Sequence, residues 1–156
     1  LDIPVQPARG YSLTMSAPKP LGGEPVETMP RQALLLSERK IAVTALGNKL
    51  RLTGRLEIGE MSTTPDPRWI KAIERAAREY IQLDEKLEIQ ETWAGLRPTT
   101  PDGMPIIGFA PKQENLLIAT GHAMLGLSLG PGTGQVVAEL ANGAQTAFDL
   151  TPFRLR

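Results

Sequence analysis

Apolar and polar residues alternate along residues 50–58. Leu50, Leu52, Leu56 and Ile58 fall on one side, and Arg51, Thr53, Arg55 and Glu57 on the other. A period of two is that of an extended chain, so the pattern predicts a strand with one buried and one wet face. Leu46-Gly47-Asn48-Lys49 before it reads as a hairpin turn, because Gly and Asn tolerate positive φ. Apolar runs at 32–36 and 40–46 supply neighbouring strands, and a further strand is expected over 10–16, followed by a Pro/Gly-rich connector over 17–30. The period then lengthens. Asp66-Pro67 supplies an N-cap and a proline at the first helical position. Ile70, Ile73, Ala77, Tyr80 and Ile81 recur at helical spacing as a buried stripe, with Glu74 and Arg78 paired on the outside. Strands are expected at 87–93 and 115–120, the first ending in a turn at Arg97, and a last helix ends near Asn142-Gly143. These elements amount to an α+β fold, a mostly antiparallel sheet with two principal helices, forming a single domain over 1–156.

The 156 residues suffice for a real core, and the formal net charge is zero. A neutral balance argues against nucleic acid as a partner, since phosphate binding needs a basic surface. No apolar run reaches the length of a membrane span. The absence of cysteine removes disulfides and thiolate metal sites, and a single histidine removes a His-rich one, so no metal is expected. The composition fits a cytoplasmic protein, or one peripheral at the inner face of a membrane.

The densest punctuation lies in Gly121-His122-Ala123-Met124-Leu125-Gly126-Leu127-Ser128-Leu129-Gly130-Pro131-Gly132-Thr133-Gly134, which holds five glycines. It reads as a loop between the strand at 115–120 and the last helix. Glycines let backbone approach a ligand closely, and a helix start adds unpaired N–H donors and partial positive charge. The segment lacks the Lys-Ser/Thr ending of a P-loop, and it is not the Gly-x-Gly-x-x-Gly turn of a dinucleotide fold. A ligand-facing loop and a plain flexible loop before a core helix both fit this pattern.

A second segment precedes it: Trp93-Ala94-Gly95-Leu96-Arg97-Pro98-Thr99-Thr100-Pro101-Asp102-Gly103-Met104-Pro105-Ile106-Ile107-Gly108. In this order the two segments closely resemble the C-terminal signature of the D-amino-acid oxidase-like flavoenzymes. That family includes glycine oxidase, sarcosine oxidase and the bacterial D-amino-acid dehydrogenases. Leu50-Arg51-Leu52-Thr53-Gly54 and Arg9-Gly10-Tyr11-Ser12-Leu13 extend the resemblance over nearly the whole chain, with the dehydrogenase branch, D-hydroxyproline type included, the most similar. The family opens with a strand, a Gly-x-Gly-x-x-Gly turn and a helix that hold the FAD pyrophosphate. Nothing here matches them and the chain opens with Leu1. The resemblance therefore implies the C-terminal, substrate-binding and flavin-covering part of a longer enzyme, partnered by an N-terminal FAD-binding half of the same chain.

The resemblance also implies roles. Arg97 binds the α-carboxylate of a small amino acid, a task that suits a planar, permanently charged, two-pronged donor. The alternative is a structural arginine bonded to loop carbonyls or to Asp102. Gly95, Gly121 and His122 line the cofactor, and the backbone N–H groups of Leu125, Gly126, Leu127 and Ser128 face the flavin N1/C2=O edge, where reduction leaves negative charge. Asp102-Gly103 and Pro105 set turns. No residue is assigned as a catalytic acid or base. The implied reaction is hydride transfer from the substrate Cα to flavin N5, giving an imino acid and then a 2-oxo acid. Two positions depart from the family pattern. Ile41 stands where glycine oxidase-like members often carry a tyrosine that helps hold the carboxylate, leaving Tyr11 as the substitute candidate. Met124 stands where some relatives carry an arginine, which makes the site more apolar. The rival readings are a glycine- or sarcosine-type amine oxidase using oxygen, a non-catalytic subunit of a hetero-oligomeric dehydrogenase, and a stand-alone small-molecule-binding domain. A homo- or hetero-oligomer is compatible with each.

Overall fold

The computed structural model of the chain describes residues 1–16, 30, 32–81, 83 and 87–155. Its internal contacts divide it into two compact units, one of Arg9–Leu96 and one of Leu1–Ala8 with Arg97–Arg156. The expected connector over 17–30 lies outside the described residues apart from Pro30.

The first unit carries most of a five-stranded sheet. Its strands are β1 (Gln6–Ser16), β2 (Leu34–Leu36), β3 (Ile41–Leu46), β4 (Lys49–Ile58) and β5 (Ile89–Thr99), in the order β2-β3-β4-β1-β5. β2 pairs antiparallel with β3, and β3 with β4, through the expected Gly47-Asn48 turn, where Gly47 has φ 59°. Helix α1 (Pro67–Arg78) packs on β3 and β4. The Asp66 carboxylate accepts the Arg68 N–H at 2.8 Å, and Pro67 occupies the first turn, as the sequence predicts. Ile70, Ile73 and Ala77 enter the core with Tyr11, Leu13, Met15, Val43, Leu50 and Leu52. Gly54 makes room for this packing, since a Cβ there would meet Ile41 Cγ1 at 3.1 Å and Ile73 Cγ1 at 3.4 Å.

Three expectations are corrected here. Leu56 and Ile58 are exposed, not buried with Leu50 and Leu52. Arg55 adopts φ 62°, which breaks the two-residue alternation and turns Glu57 inward in their place. The Arg55 guanidinium lies 3.5 Å over the Trp69 ring, a cation–π contact that helps hold this turned backbone. Tyr80 lies beyond the end of α1 and is 45% exposed, its hydroxyl donating to Glu38 at 2.7 Å. Arg97 sits within β5 and not in a turn after it, because the strand continues to Thr99.

The second unit is smaller. Strands β6 (Ile106–Ala110) and β7 (Gln113–Thr120) form an antiparallel ribbon whose register sets Ile106 opposite Thr120. Ile106, Ala110 and Ile118 make its core with Ile3, Val5 and Leu155. A 3-10 turn over Ala123–Leu125 then leads straight into helix α2 (Gly126–Ala141), which packs on both strands. The glycine-rich segment is therefore mostly helix, against the loop expected there. Asn142 caps its end by donating its backbone N–H to the Ala138 carbonyl, and Gly143 takes φ 68°, as expected of a helix terminus. Among the described residues, no helix is long and apolar enough to cross a membrane.

Candidate functional site

The strand that carries Arg97 meets His122 through backbone pairing. Thr99, two residues after Arg97, forms an isolated antiparallel bridge with His122. Two residues of strand span about 7 Å and return the side chain to the same face. The strand end that carries Arg97 is thus stitched to the start of the glycine-rich segment, within one unit of the fold.

The stitch depends on Gly121. Its φ is 82°, in the left-handed region, and a Cβ there would stand 2.6 Å from Thr100 Cγ2. Both conditions disfavour a side chain. Thr100 is itself buried, and its hydroxyl donates to the Met104 carbonyl at 2.8 Å. The Asp102 carboxylate accepts the Met104 N–H at 3.0 Å, and Gly103 donates its N–H to the Thr100 carbonyl. Asp102-Gly103 is therefore a self-contained turn that holds the chain between β5 and β6. A cavity of about 150 Å³ flanks it, lined by Thr100, Met104, Ile106 and Leu155 among others but by neither Arg97 nor His122.

Arg97 is half-buried, and among the described residues no hydrogen bond or ion pair engages its guanidinium. The alternative of an arginine tied to Asp102 is not what the geometry shows, since Asp102 bonds Met104. The His122 ring is also half-buried, its Nε2 lying 2.9 Å from Thr133 Oγ1 on α2. Nothing in the motif reading pointed to Thr133. A helical reading of the segment would have found it, because only a helix from Gly126 brings residue 133 back over residue 122.

The backbone donors are arranged differently from expectation. Helical structure begins at Ala123, and Leu125 gives its N–H to the His122 carbonyl at 2.9 Å. Gly126, Leu127 and Ser128 form the first turn of α2, and Gly126 has an ordinary helical φ of −55°. Pro131, the sixth residue, lacks the N–H that would close on the Leu127 carbonyl, which leaves that acceptor without its intrahelical donor. The outer surface of this turn is apolar and open: Met124, Leu125 and Leu127 are exposed, and Leu127 is 95% so. A Cβ at Gly130 or Gly134 would meet nothing within 4 Å. An exposed, mostly apolar helix start of this kind is compatible with packing against an aromatic heterocycle such as the isoalloxazine ring.

Two further candidate residues lie in the other unit. Tyr11 is fully buried, and its hydroxyl donates to Glu57 Oε2 at 2.5 Å, so its one donor is engaged. Arg9 binds the same oxygen through Nη2 at 2.8 Å and Nε at 3.1 Å, and reaches the Ser62 carbonyl through Nη1. These bonds hold the Glu57 carboxyl below the usual carboxylate range, the Tyr11 hydroxyl being the largest cause. Burial, and then the bond to Glu57, pushes Tyr11 up to about 12. Gly95 lies under the Trp93 indole, whose atoms come within 2.0 Å of where a Cβ would stand. Ile41 points into the core.

Comparison with known proteins identifies the family. The family model described as FAD dependent oxidoreductase matches residues 1–140. The chain is 33% identical over 150 residues to a D-amino acid dehydrogenase of Paramagnetospirillum magneticum, covering 96% of this chain and 34% of that protein. The fold superposes on glycine oxidase from Geobacillus kaustophilus with a TM-score of 0.88 at 27% identity, over 100% of this chain and 40% of that one. An L-proline dehydrogenase from P. horikoshii shares the fold at a TM-score of 0.82 and 20% identity, over 98% of this chain and 40% of that one. The chain thus spans little more than a third of the length of these relatives. A glycine with positive φ packed on Thr100, a half-buried arginine two residues from the bridge, and a bare apolar helix start all fall inside the matched residues, and the chain belongs to the FAD-dependent oxidoreductase family.

Proposed function

We propose that this chain is the substrate-binding and flavin-covering part of an FAD-dependent D-amino-acid dehydrogenase. The observation that supports the reading is the Thr99–His122 bridge, which joins the strand that carries Arg97 to the Gly-His turn ahead of α2. In this reading Arg97 receives the α-carboxylate through two parallel N–H bonds, fixing the amino acid in register and orientation. Its half-buried position strengthens that pairing relative to a fully solvated arginine. His122 and the Gly126–Ser128 turn lie along the cofactor, and Met124, Leu125 and Leu127 exclude water from its edge. Bound FAD supplies the two-electron acceptor. Tyr11 serves as a second carboxylate anchor only if Glu57 releases its hydroxyl. The remaining length of the relatives is proposed to contribute the nucleotide-binding half, and the protein is proposed to act in the cytoplasm or at the inner membrane face.

Likeness to glycine oxidase favours a second reading, an amine oxidase that reduces oxygen. Peroxide formation by the full-length protein with glycine, sarcosine or a D-amino acid separates the two.

Arg97→Lys in the full-length enzyme tests the anchor. Lysine keeps the charge and loses the fork, a loss of roughly 1–3 kcal/mol that appears as a raised KM with FAD content little changed. Unaltered KM and kcat would remove Arg97 from the substrate site.

A further inference from the structure

The cavity beside the Asp102-Gly103 turn lies wholly within the second unit, and the reading above makes no use of it. Pro4, Pro101, Pro105 and Pro152 form much of its wall. A proline has no N–H to offer and a fixed φ, so this wall is apolar and moves little. Met104, Ile106 and Leu155 complete the apolar lining, with Ile106 buried in the core of this unit. Its volume is about 150 Å³, and an engineered apolar cavity of that size takes up benzene. A branched aliphatic chain or a small ring therefore fits. The polar side chains that line it differ in what they already hold. The Thr100 hydroxyl is committed to the Met104 carbonyl at 2.8 Å. Asp102 accepts the Met104 N–H through Oδ1 at 3.0 Å, and among the described residues its second oxygen has no partner. Arg154 is exposed, and among the described residues no hydrogen bond or ion pair engages its guanidinium. Asp149, an acid five residues before it, accepts the Thr151 N–H instead. One negative and one positive side chain thus line a single apolar cavity without pairing with each other.

We propose that this cavity is a binding site for a free amino acid with an apolar side chain. The side chain fills the space between the prolines, the ammonium group meets Asp102, and the carboxylate meets Arg154. Each end thereby gains a charge-assisted hydrogen bond, and a guanidinium can take a carboxylate through two parallel ones. Water competes poorly for the same space, because apolar walls supply few partners for it. An anion or a cation of the same shape satisfies only one of the two charged side chains. The inference does not rest on the flavin reading, since neither Arg97 nor His122 lines the cavity.

The test titrates the 15N-labelled chain at neutral pH with L-leucine, isoamylamine and isocaproate, which share one apolar shape. The amine lacks the carboxylate, and the acid lacks the ammonium group. Leucine should shift the amides of Asp102, Gly103, Met104, Ile106 and Leu155 saturably, with a Kd of about 1–10 mM for so small a ligand. Each analogue should bind at least about tenfold more weakly, having lost a hydrogen bond to a charged group. Asp102→Asn keeps the acceptor for the Met104 N–H and removes the charge, and Arg154→Gln removes the other charge. In Arg154→Gln leucine should bind no better than isoamylamine, and in Asp102→Asn no better than isocaproate. If either variant loses the turn, seen as a displaced Met104 amide before ligand is added, the three ligands on the unaltered chain still decide. Absence of a saturable shift up to about 50 mM leucine, well beyond the expected Kd, overturns the proposal. So do equal affinities for the three ligands, unchanged leucine binding in both variants, or shifts confined to the surroundings of Arg97 and His122. Arg97→Lys should leave the leucine shifts as they are, so failure here and failure of the carboxylate anchor are told apart.

Discussion

At the scale of single residues, the strongest polar interactions converge on Glu57. Tyr11 and Arg9 both bind Oε2, and the three groups join β1 to the end of β4, with Tyr11 and Arg9 buried and Glu57 partly so. The direction of each shift fixes the pH dependence. Glu57 is more acidic in the fold than outside it, so its contribution is present above the ordinary value of 4.5 and is lost as pH falls through the lowered folded value. Tyr11 is raised from 10.0 to about 12, so its contribution is present below pH 10 and is lost as pH rises through about 12. Tyr11→Phe should cost about 1.5–3 kcal/mol at neutral pH, the range for a hydrogen bond to a charged group. It should also flatten the decline in Tm between pH 10 and 12, leaving the smaller alkaline slope due to Tyr80, which Glu38 raises. Thermal unfolding followed by circular dichroism over that range checks both. An equal alkaline decline in the variant would mean that Tyr11 is not the group losing its proton.

At the scale of elements, Gly121 and Gly130 should respond to alanine in opposite senses. Gly121→Ala places a side chain at φ 82° and 2.6 Å from Thr100, and should destabilise by about 1–3 kcal/mol. Gly130 lies inside α2 with open space around it, so Gly130→Ala should stabilise by roughly 0.5–1 kcal/mol. Urea unfolding of both variants decides it, and a stable Gly121→Ala would contradict the close packing. The same two glycines show where sequence reasoning succeeds and fails. Asp66-Pro67 and the Ile70, Ile73, Ala77 stripe made α1 legible, because cap, proline and period agree. α2 was not legible as a helix from Gly126, because Gly126, Gly130, Gly132, Gly134 and Pro131 carry the poorest helix propensities. Packing on β6 and β7 overrides them. β4 was legible until Arg55, where one positive φ reversed the faces and no residue type announced it. For the candidate site, both motifs were readable, and so was the turn at Asp102-Gly103. Their meeting through Thr99 and His122, and the contact with Thr133, are long-range facts that no local pattern encodes.

At the scale of the whole molecule, the 156 residues present an apolar helix start with little laid over it, Met124 being 72% exposed and Leu127 95%. An exposed apolar cluster of this kind marks a surface built to be covered. The chain covers 34% and 40% of two relatives, and the proposed reading places the pyrophosphate and ribose contacts of FAD in the remainder of such a protein. What these residues offer a flavin is then a few main-chain hydrogen bonds and one apolar face. With the Leu125 N–H already engaged, the Gly126, Leu127 and Ser128 donors at about 0.5–1.5 kcal/mol net each give at most about 4.5 kcal/mol. Micromolar affinity needs about 8 kcal/mol, and ordering the ligand and the helix start subtracts further. Burial against Leu125 and Leu127 adds some apolar contribution, but an open surface covers only one side of the ring. The isolated chain should therefore purify colourless and bind FAD more weakly than micromolar, while unfolding cooperatively on heating. Titration of FAD into the chain, read by flavin fluorescence, measures this directly. Micromolar or tighter binding would show that the cofactor site is largely contained in these residues, and the division of labour proposed here would be wrong.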